Sequence, residues 1–153
     1  MYEPSHDHTE AYQGGSELTY RKFIEMTSQG YWFIAPDFKS IDVNQSLCRM
    51  LNYEKDEMIG KSIFDFVNDN NKAIFLNSVT KMTEQEHRNY EIALQKKDGE
   101  EINCQFNATT VWDQSGNIEG SFAFITDISE RKRAEAELKS SQRQLADIIN
   151  FFA

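Results

Sequence analysis

The chain has little cysteine, a deficit of basic residues and no long apolar run. Of its 153 residues, 16 are Lys or Arg and 25 are Asp or Glu, so the formal net charge is -9. This balance disfavours nucleic acid and anionic lipid as partners, because both require cations that neutralise phosphates. No apolar stretch approaches the roughly 20 residues of a membrane-spanning helix. We therefore expect a cytoplasmic protein that contacts neither nucleic acid nor membrane through this segment.

Cys48 and Cys104 are the only two cysteines. Both lie among apolar neighbours, so we expect two reduced, buried thiols. The first fifteen residues contain three acidic residues, two His and neither Lys nor Arg, which is unlike a secretory signal. Because this stretch has low hydrophobicity and ends in Gly14-Gly15, we expect residues 1–16 to be a mobile tail.

Catalytic motifs are also missing from the sequence. It contains no Ser/His/Asp or Cys/His cluster, no glycine-rich phosphate loop and no zinc-type spacing of ligands. Its carboxylates are scattered over predicted turns and charged faces, where nothing pairs them for acid–base chemistry. We therefore predict no catalytic residue and no metal site in this chain, and we expect any catalytic output domain to lie outside it.

Helix and turn signals dominate the first half of the sequence. Ser16 can cap a helix that closes at Gly30, and short strands are predicted over 31–35 and 39–43. Short helices follow, the first of them starting at Asn44. These helices are the segments available to cover one face of a sheet.

After His87 the hydrophobic period changes to two, which is typical of strands. Asp98-Gly99 is the strongest hairpin signal in the chain, and a second turn at 115–117 leads into a strand over 118–125. One face of the first two strands of this meander carries Tyr90, Ile92, Leu94, Ile102, Cys104, Phe106 and Ala108. Two strands, several short helices and a three-stranded meander indicate an α+β fold with an antiparallel sheet buried on one face.

The C-terminal segment is a predicted long helix with a heptad seam. The seam residues are Ala134, Leu138, Ser141, Leu145, Ile148 and Phe152. One interpretation is an amphipathic helix folded back on its own sheet. The seam is narrow and partly built from small residues, however, which favours parallel pairing with a second copy of the helix. We also expect residues 128–153 to be a truncated piece of a longer signalling or coiled-coil helix.

Four short motifs resemble those of the PAS domain, a small sensory module of bacterial signalling proteins, and the resemblance covers roughly residues 18–132. Asp127-Ile128-Ser129 is similar to the Asp-Ile-Thr that closes the family's PAC-type motif. Gly60-Lys61-Ser62 resembles its Gly-Lys-Ser/Pro loop, and Lys96-Lys97-Asp98-Gly99 resembles its Lys-Asp-Gly hairpin. Val43-Asn44 and the following Leu51-Asn52-Tyr53 resemble a strand-end Asn and a Leu-Gly-Tyr, with Asn52 in place of Gly.

The resemblance implies a PAS fold: a five-stranded antiparallel sheet in the order 2-1-5-4-3, with short helices over one face and a long C-terminal helix. It divides the chain into a sensory domain at 17–127 and a signalling helix at 128–153. It further implies a homodimer through flanking helices and a downstream signalling domain fused to this segment. In such domains the counterpart of Asp127 pairs with an Arg four residues on, so the resemblance assigns signal relay to Asp127 and Arg131.

The resemblance also implies an apolar cup beneath the helices, although core packing alone would place hydrophobic residues at the same positions. We predict that its lining includes Met50, Phe66, Phe75, Ile92, Cys104, Phe106, Phe122 and Phe124. Haem-binding members carry a His on the helix before the third strand, but residues 70–84 of this chain contain none, and His87 comes after them, where we expect solvent. Covalent flavin requires a Cys motif that the chain lacks. A non-covalent flavin or a small metabolite remains compatible with the sequence.

These observations lead to two functional hypotheses. The first is a sensory module of a two-component or related signalling protein, of the histidine kinase or diguanylate cyclase type. It would bind a small ligand in the cup and relay the change through a paired C-terminal helix. The second is a structural dimerisation spacer with a solid core and no ligand. Both need the helix seam, and only the first needs a cavity.

Overall fold

The computed structural model describes the backbone of residues 6–152 and the side chains of residues 15–152. The α-helices in this range are α1 (His6–Met26), α2 (Gln45–Leu51), α3 (Lys55–Met58), α4 (Asp69–Thr80) and α5 (Ser129–Phe152). The strands are β1 (Gly30–Ile34), β2 (Ser40–Val43), β3 (His87–Gln95), β4 (Glu101–Trp112) and β5 (Ile118–Asp127). Short 3-10 helices occupy Ile63–Phe66 and Lys81–Thr83.

The strands form one antiparallel sheet in the order β2-β1-β5-β4-β3. This confirms the predicted fold and strand order. The hairpin between β3 and β4 turns at Gly99, whose φ of 91° is a left-handed conformation that glycine adopts without steric cost. Because β3, β4 and β5 follow one another as hairpins, the second half of the chain builds three adjacent strands, and β1 then pairs with the free edge of β5.

One face of the sheet is buried beneath the helices. Along β4, Cys104, Phe106 and Ala108 are buried while Asn103 and Asn107 are exposed, as the alternation predicted. The helices contribute fully buried side chains to the same core, among them Leu47, Leu51, Met58 and Phe75. This layer of helices against an antiparallel sheet leaves the opposite face available for other contacts.

Helix α1 is longer than predicted. It begins at His6 instead of Ser16 and ends at Met26, so residues 6–16, expected to be a mobile tail, are helical. Residues 1–5 lie outside the described residues. The Gly14-Gly15 pair costs helix stability, roughly 1 kcal/mol for each glycine relative to alanine, but it does not stop the helix on its own. Gly30, predicted to end this helix, is instead the first residue of β1.

Asn44 joins the start of α2 to β1 and α1. It is 1% exposed, and its Oδ1 accepts hydrogen bonds from the backbone N–H groups of Tyr31 (2.9 Å) and Leu47 (3.0 Å). Its Nδ2 donates to the carbonyl oxygens of Ile24 (2.7 Å) and Gln29 (3.0 Å). The predicted helix start at Asn44 is therefore confirmed, and the same amide satisfies buried backbone groups of two neighbouring elements.

We expect Asn44→Ala to lower the free energy of unfolding by roughly 3 kcal/mol, since it leaves several buried backbone groups without partners. The control is Asn68→Ala, which removes the N-cap bond of α4 and side-chain contacts with Asn71 and Glu101, and should cost about 1 kcal/mol. Urea denaturation followed by circular dichroism measures both values. Equal effects of the two substitutions would contradict the joining role of Asn44.

Candidate functional site

The core contains a small cavity between the buried face of the sheet and the helices. Its volume is about 20 Å³, enough for about one water molecule. Most lining residues are apolar: Trp32, Ile34, Ile63, Phe75, Val79, Met82, Phe106, Ala108 and Ala123. Three are polar or charged: Arg88, Tyr90 and Ser121. Aromatic side chains fill much of the remaining space, with Phe106 stacked on Tyr90 at a centroid distance of 5.1 Å.

The predicted pocket residues do not form one group. Phe75 and Phe106 line the cavity. Phe66, Ile92 and Cys104 are buried in the same core but do not line it, and Met50 packs at its edge.

Phe122 and Phe124, predicted to line the cup, lie on the opposite face of the sheet. The buried inward residues of β5 are Ser121, Ala123 and Ile125, so the two phenylalanines point to the opposite face. There they pack against Tyr31, at centroid distances of 6.4 and 5.7 Å. The prediction failed because both faces of β5 carry apolar residues, so hydrophobicity alone does not identify the covered face.

Both cysteines are buried and unbridged, as predicted. Burial, followed by the nearby Asp127 carboxylate, raises the pKa of the Cys104 thiol to about 12. The thiol is therefore protonated at neutral pH and a poor nucleophile. His87, at the start of β3, is exposed as expected and lies 3.2 Å from the Thr109 hydroxyl. Among the described residues, no three His, Cys, Asp or Glu side chains are grouped as metal ligands.

Arg88 is a buried cation that the sequence patterns did not predict. It is 7% exposed and lies on β3 with the same parity as Tyr90, Ile92 and Leu94. This inward parity of a charged residue was the one signal that could have revealed it, since buried charges are rare. Arg88 therefore places a guanidinium on the apolar face of the sheet.

The guanidinium is held by neutral oxygens. Nη1 donates to the carbonyl of Gln85 (2.8 Å) and to Thr110 Oγ1 (2.6 Å), and Nη2 donates to Ser121 Oγ (2.7 Å). The two hydroxyls donate in turn to backbone carbonyls, those of Met82 (2.9 Å) and Thr109 (3.1 Å). Each hydroxyl hydrogen is thereby committed, which leaves the oxygen lone pairs facing the guanidinium.

Arg88 lacks a counter-charge within the part of the chain whose side chains are described. No carboxylate pairs with it, and its buried Nε has no hydrogen-bond partner. Burial lowers the pKa of Arg88, but an arginine stays protonated at any ordinary pH. A buried ion without a counter-charge costs on the order of several kcal/mol, so this position is an exception that needs a reason.

The joint between β5 and α5 is anchored to β4. The Ile128 side chain is 5% exposed, and its N–H donates to the carbonyl of Asn103 at 2.8 Å. Asp127 Oδ1 accepts from the N–H of Ser129 (2.9 Å), the first residue of α5. The carboxylate therefore fixes the turn that starts the helix.

The predicted pair between Asp127 and Arg131 is not formed. Arg131 Nη2 instead lies 2.6 Å from Glu91 Oε1 on β3, and Lys132 Nζ lies 2.8 Å from the other oxygen of Glu91. Arg131 also lies 3.7 Å from Glu135. Asp127 thus bonds within the turn, whereas Arg131 and Lys132 tie the first turn of α5 to β3. Strand β3 lies two strands from β5 in the sheet.

Beyond its first turn, α5 has no buried residue in the described chain. The seam residues Leu138, Leu145 and Ile148 are 61%, 59% and 55% exposed, so α5 does not fold back on the sheet. Helix α1 also exposes apolar side chains, including Phe23 and Met26. Within residues 6–152, no helix has the length and apolarity needed to cross a membrane.

A comparison with known protein families identifies the family to which this fold belongs. A model of the PAS domain family matches residues 28–130, more than half of the chain. The chain therefore belongs to the PAS domain family, whose fold is a sensory signalling module and not itself catalytic. No curated protein sequence matches it.

Solved structures of low sequence identity share this fold. A PAS domain from Colwellia psychrerythraea is 15% identical, with a TM-score of 0.69, covering 74% of this chain and 97% of that one. A sensory box histidine kinase/response regulator structure from Burkholderia thailandensis is 19% identical, with a TM-score of 0.66, covering 84% and 98%. The PAS domain of a LuxR-family transcriptional regulator from Burkholderia thailandensis, in complex with ethanol, is 16% identical, with a TM-score of 0.61, covering 72% and 97%.

The cations of α5 lower the pKa of Glu91, mainly through the hydrogen bond from Lys132. A carboxylate with a lowered folded-state pKa stabilises the fold above its unfolded pKa, about 4.3 for Glu, and this contribution is lost as pH falls through the folded value. We therefore expect Glu91→Gln to lower the melting temperature slightly at pH 7 and to melt like the wild type near pH 3.

The control for this experiment is Glu119→Gln, which changes an exposed strand glutamate on β5. Amide hydrogen exchange at pH 7 adds a local measurement: the first turn of α5 should exchange faster in Glu91→Gln only. A constant difference in melting temperature between Glu91→Gln and the wild type from pH 7 to pH 3 would refute the bridge.

Proposed function

We propose that this chain is the ligand-binding sensory PAS module of a signal-transduction protein of the histidine kinase or diguanylate cyclase type. A small ligand enters the core beside the sheet and changes the position of β3 and β4. The change passes to α5, which pairs in parallel with α5 of a second copy and carries it to a downstream output domain. The module works in the cytoplasm in this scheme.

The observation that carries the proposal is the use of both faces of β3. Tyr90 lines the cavity, and its neighbour Glu91 holds Arg131 and Lys132 of α5 on the other face. A displacement of β3 that accommodates a ligand against Tyr90 therefore also moves the anchor of α5. The relay requires two arrangements of α5 whose free energies differ by only a few kcal/mol.

The exposed seam of α5 supports pairing. Leu138, Leu145 and Ile148 follow the heptad spacing and lie in solvent in the single chain. Exposed apolar residues in this pattern favour association with another helix, because burying them removes apolar surface from water. An identical helix in parallel brings each seam position opposite itself.

We expect Leu145→Glu to shift the protein from dimer to monomer, since it places two carboxylates opposite each other in the seam. Arg143→Glu is the matched control: it introduces the same residue on the far side of the helix and should leave the dimer intact. Sedimentation equilibrium over a range of concentrations measures both. A monomeric wild type at all concentrations, or equal loss of the dimer in both variants, would refute seam pairing.

Ligand sensing is tested separately, by thermal shift and calorimetric titration of the purified protein with a panel of flavins and small metabolites. The ethanol complex of the LuxR-family PAS domain supports the inclusion of very small molecules. We expect at least one compound to raise the melting temperature in a saturable way. Saturable binding that leaves hydrogen exchange of α5 unchanged would contradict the relay.

A second candidate function is a ligand-free dimerisation spacer that transmits motion from a neighbouring domain. The size of the cavity favours it, because about 20 Å³ is far below the volume of a flavin. This candidate predicts an intact seam dimer together with no saturable binding by any compound in the panel.

A further inference from the structure

Arg88 stands between the internal cavity and the protein surface. On its outer side lies a groove of about 130 Å³, whose lining shares Arg88 and Tyr90 with the cavity. These two side chains therefore form the wall through which a molecule would pass from solvent to the core.

The charged side chains that line the cavity and the groove are basic, and Glu86 lies outside this lining, 4.0 Å from His87. None of the residues that line the cavity or the groove is acidic, although the chain as a whole has a formal net charge of -9. The groove also contains Lys81, so a second cation lies on the route to Arg88. In an acidic protein, this local arrangement attracts an anion.

The guanidinium has donors left for such an anion. A guanidinium carries five N–H donors. Three hydrogen bonds engage it with Gln85, Thr110 and Ser121, so Nε–H and one hydrogen of Nη2 have no protein partner among the described residues. Nε and an Nη together form an edge that binds a carboxylate through two parallel hydrogen bonds.

We propose that Arg88 binds a small monocarboxylate, with the carboxylate on the guanidinium and a short apolar tail in the cavity. This inference rests on the proposed sensory function and names the chemical class of its ligand. The carboxylate supplies the counter-charge that Arg88 lacks. The cavity of about 20 Å³, walled by Phe106, Ala108 and Ala123, limits the tail to about one methyl group. The methyl group of acetate is within this limit, and the five-carbon tail of hexanoate exceeds it.

The site also explains how ligand binding would affect the attachment of α5 to β3. A carboxylate that binds the free edge of the guanidinium shifts a group that is also bonded to Thr110 on β4 and Ser121 on β5. Its arrival alters the attachment of β3 to these two strands. Glu91, three residues along β3, carries the anchor of α5.

The test is isothermal titration calorimetry of the wild-type chain with sodium acetate and sodium hexanoate at constant ionic strength, with sodium chloride as the reference salt. We expect saturable binding of one acetate per chain and at least tenfold weaker binding of hexanoate. Arg88→Gln should weaken acetate binding at least tenfold, and Arg133→Gln, which removes an exposed arginine of α5, should leave it unchanged.

Because Arg88→Gln removes three hydrogen bonds, two of them buried, and could unfold the chain, Ala108→Val gives an independent measurement. It keeps Arg88 and fills the cavity with a β-branched residue suited to a strand, so the folded variant should also bind acetate at least tenfold more weakly. Non-saturable heats, or equal acetate affinity in the wild type and Ala108→Val, would overturn the proposal.

Failure of this inference is distinguishable from failure of the proposed function. If acetate does not bind but a compound of the flavin and metabolite panel does, the carboxylate assignment is wrong and sensing stands. If no compound binds and the seam dimer is intact, the sensory function fails as well and the spacer remains.

Discussion

The burial of Arg88 on the covered face of the sheet is the constraint on which the interior depends. An apolar layer ordinarily excludes a guanidinium, because a charge loses its hydration there. Here the chain supplies three neutral acceptors, from Gln85, Thr110 and Ser121, and orients the hydroxyls with further bonds to backbone carbonyls. The cation thereby links the start of β3 to β4 and β5. The same arrangement leaves part of the guanidinium without a partner at the edge of a cavity.

Arg88 lies on β3, and the attachment of the C-terminal helix depends on the same strand. The strand alternates between the core and the surface, so residues one position apart serve opposite sides of the sheet. Tyr90 packs on Phe106 inside, while Glu91 holds two cations of α5 outside. In the proposed mechanism, the sheet transmits movement because it is thin: the core and the helix anchor are separated by a single backbone.

Much of the architecture was predictable from local sequence patterns. The period-two alternation after His87 and the Asp98-Gly99 turn predicted the β3–β4 hairpin, which requires only local backbone preferences. The cap at Asn44 was predictable for the same reason, since an Asn before an apolar helical face starts a helix. The heptad spacing of α5 identified its apolar seam. The strand order and the expected cavity came from the resemblance to PAS domains.

The tertiary structure decided which distant groups meet. Arg131 pairs with Glu91, forty residues away, because its side chain reaches across to β3, while Asp127 accepts from the N–H of Ser129 in the turn. The inward face of β5 was decided by its pairing with β1 and β4. Alternation defines two faces of a strand, but it does not state which one is covered when both carry apolar residues. The sequence by itself thus determined the β3–β4 hairpin, the cap at Asn44 and the helix seam, but not the ends of α1. The partners of Arg88 and of Arg131 depend on long-range contacts that have no local signature.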